Sequence, residues 1–243
     1  MYDLNDGEYD LTIYVPTKGR PHKIYEHETN FYSTTTINTR VVYVLSDNDP
    51  FLHDYLKLPF IDPENTYVVT PDKVGFVDPL NKGYLADRRK VYSYAVGFMG
   101  DDHFPRTKGW DQKLVNSLIK MKSGFVYADD GFQHEAIPTQ VAMTSDIPLV
   151  LGYMTYPILS HLYADNFWLD LGKAIGRIEY LSDVLIEHMH PAAGKNKSDA
   201  GYDFSGSFTL DLRDKSIYQA YLDTELEADA KRILGMIRRT GKL

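Results

Sequence analysis

The chain has no cysteine among its 243 residues, which excludes disulfides and thiolate metal sites and fits a reducing compartment. Long apolar runs are also missing. Stretches such as "IPLVLGYMTYPIL" (147–159) are interrupted by Pro, Gly and polar groups before the roughly 18 residues a membrane helix needs, so no bilayer span is expected. The start, "MYDLNDGEYD", is acidic and lacks the basic end and apolar stretch of a secretory signal, which makes the cytoplasm the expected location. An excess of positive charge is absent too. The net charge of −8 argues against a surface built to neutralise phosphates, although it leaves room for a local basic groove. Two phosphate signatures are missing: "VPTKGRP" (15–21) does not follow Gly-x-x-x-x-Gly-Lys, and no Gly-x-Gly-x-x-Gly occurs, so neither a P-loop nor a dinucleotide site is expected.

What is present is enough apolar material for one sizeable core: 43% of residues are hydrophobic. The runs "LTIYV" (11–15), "RVVYVL" (40–45) and "TYVV" (66–69) are nearly continuous in apolarity, as in strands buried on both faces of a largely parallel sheet. Helical segments alternate with them. One opens at Pro21, a second follows Asp49 and Pro50, and a third is expected from about Leu80 to about Tyr94. "VGFMG" (96–100) then returns to the sheet and delivers Asp101, Asp102 and His103 at its carboxyl edge, where ligands of open α/β sheets collect. Farther on, "GFVYADDG" (124–131) predicts another strand ending in acids, "HLYADNFWLDLGKAIG" (161–176) a loop entering a helix, and "IEYLSDVLIEHMHP" (178–191) a segment that is strand-like near its end. Residues 192–209 predict a long loop and a lid, with Lys195 or Lys197 reaching a diphosphate. The segment from about Ser216 to Arg239 carries apolar residues at helical spacing and predicts a closing amphipathic helix.

Asp101, Asp102 and His103 offer carboxylate oxygen and imidazole nitrogen near one point, a donor set suited to Mn²⁺ or Mg²⁺, against the alternative of a solvated turn that caps the next helix. Extended alternation puts Asp101 and His103 on one face. His188 and His190, two residues apart in an extended segment, also share a face, and either supplies a further ligand. Asp165 in "YADNFW" serves equally as a general base or as a helix N-cap. Lys82 and Arg88, with Arg89 and Lys90, form a basic patch useful for a diphosphate or simply a solvated helix face. The aromatic content suits stacking on sugars or bases as well as ordinary core packing, and Trp110, Asn166 and Trp168 are the candidates for such a contact.

Taken in order, "LTIYVPTKGRP", "VLSDNDP", "GFMGDDHFPRTKGWD", "VYADDG", "HLYADNFW" and "IEHMHP" resemble a glycosyltransferase of the GT-A fold, close to the small family-two-like enzymes of bacteriophages and bacteria. The resemblance covers roughly residues 11–200 and implies a single Rossmann-like α/β domain with a mostly parallel central sheet flanked by helices. Residues 11–100 would form its nucleotide-binding half, 101–215 its metal and acceptor half, and 216–243 a terminal helix. It further implies transfer of a sugar from a nucleoside diphosphate, UDP foremost, to an acceptor hydroxyl, with inversion. Pro16, Thr17 and Arg20 would lie near the nucleotide and Asp47 on the base or ribose. Asp101, Asp102 and His103 would be the metal motif, with Asp101 also on the donor, His188 the distal metal histidine with His190 its competitor, and Asp165 the base. The implied acceptors are a modified DNA base or a virion protein, in the host cytoplasm if the chain is viral. A sugar-nucleotide nucleotidyltransferase, a metal-dependent hydrolase and a non-catalytic carbohydrate-binding protein are the competing readings. The first of these usually carries an early Gly-rich signature that "PTKGRP" lacks.

Overall fold

In β1 (Tyr9–Pro16), Leu11, Ile13 and Val15 point to one side of the strand and Tyr14 to the other, and all four are buried. The same holds in β2 (Thr39–Ser46), where Val41, Tyr43 and Leu45 face one side and Val42 and Val44 the other. Two-sided burial requires helices on both faces of the sheet, and the computed structural model, which describes residues 9–61, 66–71, 74–195 and 207–242, has them. The eight strands run in the order β3-β2-β1-β4-β7-β6-β8-β5, the remaining ones being β3 (Tyr67–Thr70), β4 (Ser93–Phe98), β5 (His103–Pro105), β6 (Phe125–Asp129), β7 (Val141–Thr144) and β8 (Ile178–His188). Neighbours β3-β2, β2-β1, β1-β4 and β6-β8 pair in parallel; β4-β7, β7-β6 and β8-β5 pair antiparallel. The single sheet spans both expected halves of the chain.

Helices α1 (Pro21–Thr34) and α4 (Trp110–Met121) cover one face through Ile24, Phe31, Leu114 and Leu118. Helices α3 (Val77–Asp87), α5 (Asp146–Leu151) and α6 (Ala164–Ala174) cover the other, with α8 (Leu226–Arg239) packed outside α5 and α6. Both tryptophans are spent in these layers. Trp110 is fully buried, its ring 5.2 Å from that of Phe31, and Trp168 is fully buried with its indole N–H donated to the Met154 carbonyl at 2.8 Å. Neither presents a face to an acceptor, which corrects the expectation that they would. Each lies on the apolar stripe of an amphipathic helix, and that stripe turns toward the sheet.

Several boundaries differ from those expected from sequence. The third helix ends at Asp87, seven residues early, because the chain from Ser93, with Tyr94 and Val96, joins the sheet as β4. After Asp49 and Pro50 only one turn forms, α2 (Leu52–Tyr55). The closing segment is two helices, α7 (Phe208–Thr224) and α8, broken at Glu225; Ser207 caps α7 by accepting from the Leu210 N–H at 3.2 Å. The short antiparallel strands β5 and β7 carry no strong pattern of their own and take their form from their neighbours.

Candidate active site

The carboxyl ends of β1 and β4 lie side by side in the middle of the sheet, and the chain leaves each of them with a residue that addresses the other. Thr17 Oγ1 donates to Asp101 Oδ2 at 2.7 Å and Arg20 Nη1 to Asp101 Oδ1 at 2.7 Å, so both oxygens of Asp101 are used. Tyr55 supports the pair from α2, accepting the Arg20 backbone N–H at 2.7 Å and lying 3.2 Å from Thr17 Oγ1.

Asp101 and Asp102 sit in a tight turn between β4 and β5 and not in an extended strand, so the expected alternation stops before it can pair Asp101 with His103. Asp102, His103 and His188 come together instead. In the β5-β8 register His103 is directly opposite His188, and the rings stack at 4.1 Å. Asp102 Oδ1 is 3.3 Å from His103 Nδ1, and its Oδ2 is 3.3 Å from His188 Nε2. One donor atom from each of the three lies within 4.8 Å of the others, so they form a group able to hold a metal ion.

The protonation pattern fits that use. His103 Nδ1 accepts the Gly100 backbone N–H at 3.0 Å, which marks it as the nitrogen without a proton and leaves Nε2, 3.4 Å from Thr139 Oγ1, to carry one. Burial opposes the charge on Asp102, yet the adjacent His103 and His188 rings hold its carboxyl well below the usual range. For His188, burial favours the neutral ring, but Asp102 and Asp130 outweigh it and push the pKa up to about 9. A buried carboxylate that recruits a proton onto its neighbouring imidazole is a place short of positive charge.

This group opens onto a cavity of about 720 Å³ along the carboxyl edge. Thr17, Lys18, Arg20, Ser46 and Asp49 line one end, and Val74, Phe76, Pro79 and Phe98 give it an apolar wall. Asp165 enters from the first turn of α6. The approach to that turn is fixed by Asp214 of α7, which is fully buried and accepts the backbone N–H groups of Ser160, His161 and Leu162 at 3.2, 2.9 and 3.0 Å. Tyr163 then takes a left-handed conformation, φ 66°, and the helix begins. The Asp165 side chain makes no hydrogen bond among the described residues; the burial of its carboxyl raises the pKa to about 7, with His188 opposing the rise and Asp130 adding to it. A carboxylate held near neutrality in a cleft is equipped to take a proton.

The cavity thus brings together Pro16, Thr17, Arg20, Asp101, Asp102, His103, Asp165, His188 and His190. His190 stands beside the trio rather than in it, its Nδ1 accepting the Ala192 N–H at 3.1 Å and its ring stacked on Phe132. Other expected residues lie elsewhere. Lys82 pairs with Asp78 on α3 at 2.7 Å, and Arg88 stacks over Tyr84 at the carboxyl end of α3, which leads to the opposite, amino edge of β4. Asp47 is exposed and does not line the cavity, whereas Asp49 does, with its carboxylate accepting from Gly19 N–H and Phe51 N–H. Asn166 follows Asp165 on α6 but turns away from the cavity lining. Of the expected lid, 196–206, including Lys197, lie outside the described residues; Lys195 pairs with Glu187 at 3.0 Å and donates to the Gly131 carbonyl. Sequence reasoning missed Asp49 and His161 as cavity residues. Asp49 stood in "VLSDNDP" two positions from the residue chosen, and His161 opened "HLYADNFW".

No family model matches the chain, and no curated protein matches it in sequence. Solved structures do. The mannosyltransferase PcManGT of Pyrobaculum calidifontis, in complex with GDP-Man and Mn²⁺, aligns over 96% of this chain and 76% of its own, with a TM-score of 0.55 and 15% identity. Residues 1–349 of S. aureus TarS, in complex with UDP-GlcNAc, align over 93% of this chain and 70% of that one, with a TM-score of 0.59 and 14% identity. The likeness is one of fold: a curled, mostly parallel sheet flanked by helices, as in GT-A-like glycosyltransferases.

Proposed function

We propose that the chain is a metal-dependent glycosyltransferase that moves a sugar from a nucleoside diphosphate to an acceptor hydroxyl, with inversion. The observation that carries this reading is the placement, in one cavity, of the Asp102–His103–His188 donor group and an unbonded carboxylate, Asp165, whose pKa is raised to about 7. The order of sequence motifs supports a family-two-like enzyme of bacterial or phage type. In the related folds the bound molecules are GDP-Man with Mn²⁺ and UDP-GlcNAc.

In this reading the nucleotide lies over Pro16, Thr17 and Arg20, with Asp49 rather than Asp47 toward the base or ribose. Arg20 and Lys18 face the diphosphate end, and Asp101 holds Arg20 in place. Asp102, His103 and His188 would hold the metal, and two imidazoles with one carboxylate favour Mn²⁺ over Mg²⁺, which prefers oxygen alone. The metal, when bound, supplies positive charge against the diphosphate as it departs. Asp165 removes the proton of the attacking hydroxyl, a role worth on the order of 10²–10⁴ in rate. It is the one cavity carboxylate that none of Arg20, Thr17, His103, His188 or a backbone N–H engages among the described residues, which suits a base for single displacement and leaves no second such carboxylate as nucleophile. UDP is the expected nucleotide, and a hydroxyl on a modified DNA base or a protein the expected acceptor.

The test is product identity. Incubation with UDP- and GDP-sugars and Mn²⁺ should release nucleoside diphosphate. Release of monophosphate or pyrophosphate would replace the reading with a hydrolase or nucleotidyltransferase, and retention of the anomeric configuration would exclude inversion.

A further inference from the structure

Asp130, the second acid of "VYADDG", does not line the cavity, yet it is almost fully buried behind both imidazoles. Its Oδ1 accepts three backbone N–H groups, from Phe132, Gln133 and His134, at 2.8, 2.6 and 3.0 Å, which fixes the carboxylate rigidly. Its Oδ2 is left to face the histidines. It accepts from Thr139 Oγ1 at 2.9 Å, and Thr139 Oγ1 is 3.4 Å from His103 Nε2. The same Oδ2 is 3.8 Å from His188 Nδ1, which makes no hydrogen bond among the described residues, and the backbone carbonyl of Asp130 accepts the His188 N–H at 2.9 Å. On each ring the nitrogen toward Asp130 is the one turned away from Asp102.

From this we infer that Asp130 is a positioning residue that sets the tautomer and tilt of both metal-binding imidazoles, directly at His188 and through the Thr139 hydroxyl at His103. The inference rests on the metal reading of Asp102, His103 and His188. A proton kept on His103 Nε2 by Thr139 turns Nδ1, which accepts the Gly100 N–H, toward Asp102, and Asp130 facing His188 Nδ1 turns Nε2 toward the same carboxylate, where an ion would displace the proton it carries. Carboxylates placed behind metal-binding histidines act in this way, and their loss typically weakens metal affinity by about 10–100-fold. One acid serving two rings from opposite strands also ties the β6–β7 connection to the site.

Mn²⁺ binding, followed by electron paramagnetic resonance of the free ion, tests this without any turnover. Asp130→Asn retains an oxygen for the three backbone N–H groups but turns an amide N–H₂ toward Thr139 and His188, and should weaken Mn²⁺ binding by about 10–100-fold. Thr139→Val removes only the His103 branch and should weaken binding by about tenfold, at the lower end of the same range. Asp129→Asn, in the same turn and bonded to Gly131 N–H and His134, should leave affinity unchanged. Wild-type affinity in a folded Asp130→Asn protein, or in Thr139→Val where the first variant does not fold, overturns the inference alone, as does an equal loss in Asp129→Asn. A wild-type chain that binds no Mn²⁺ overturns the metal reading and this inference with it.

Discussion

Asp165→Asn separates the chemistry of this carboxylate from its place at the start of α6. The pKa is about 7 in the folded chain against an ordinary 3.8, because the group is buried, with His188 opposing the rise and Asp130 adding to it. A raised acid pKa means that the folded chain holds the proton more tightly than the unfolded chain, so ionising Asp165 costs folding free energy. That cost is absent below about pH 4, grows as the pH rises, and is complete above about 7. At about 1.4 kcal/mol for each pH unit of displacement, it is at most about 4 kcal/mol. The positive end of α6 returns about 0.3–1 kcal/mol to the charged form, and partial exposure adds some solvent screening. Asn is uncharged and nearly isosteric, so it should raise stability at pH 8.5 by about 2–3 kcal/mol, or about 4–12 °C in Tm for a chain of this size. At pH 5 the gain should fall below about 1.5 kcal/mol. Thermal unfolding followed by circular dichroism in chelator, at both pH values, reads this directly. The same variant should lose at least about a hundredfold in turnover while keeping donor affinity. A residue that only caps the helix would show neither effect, since Asn and Asp cap almost equally well. Near-normal turnover in the folded variant refutes the base assignment; unchanged stability at pH 8.5 refutes the picture of a strained, buried carboxylate.

Other expectations follow from the same geometry. Asp102→Asn should weaken Mn²⁺ binding far more than Asp101→Asn, because both oxygens of Asp101 are committed to Thr17 and Arg20; calorimetry giving the reverse order would move the ligand role to Asp101. Gly100→Ala places a methyl 2.6 Å from Asp102 Oδ1 and 2.9 Å from His103 Nδ1, so both buried side chains must shift and the Mn²⁺ affinity read by calorimetry should fall. Trp168→Ala should cost about 3–5 kcal/mol as a core truncation, and a denaturant titration showing no loss would contradict its burial. Lys82→Ala and Arg88→Ala should leave the KM for the sugar nucleotide within about twofold, since both lie off the cavity, whereas Arg20→Ala should raise it.

The parallel strands were legible because burial on both faces writes itself into sequence as continuous apolarity, as in "RVVYVL". The carboxyl edge was legible too, since a buried run that ends abruptly in Asp-Asp-His marks the point where a strand leaves the core and the sheet meets its ligands. What sequence could not give was the direction of side chains after the strand ends. Asp101 and Asp102 occupy a turn, so period-two counting assigned the wrong acid to the face of His103. Asp47 and Asp49 differ by two positions, and the loop after β2 turns only the second into the cavity. The basic residues 88–90 follow α3, and a helix in a βαβ unit ends at the amino edge, so their closeness in sequence to Asp101 placed them at the wrong end of the sheet. Trp110 and Trp168 look alike in a sequence whether they stack on a sugar or fill a core; helical phase decides, and here it turns both inward.

Binding of a nucleoside diphosphate in this cavity, through a metal held by Asp102, His103 and His188, is the step on which the proposed function stands. It is tested most directly by calorimetric titration of the wild-type chain with UDP and with GDP, in excess Mn²⁺ and again in excess chelator. At least one nucleotide should bind measurably with Mn²⁺ and lose at least about tenfold in affinity, about 1.4 kcal/mol, in chelator. Equal affinity under both conditions, or no binding of either nucleotide with Mn²⁺ present, would contradict it.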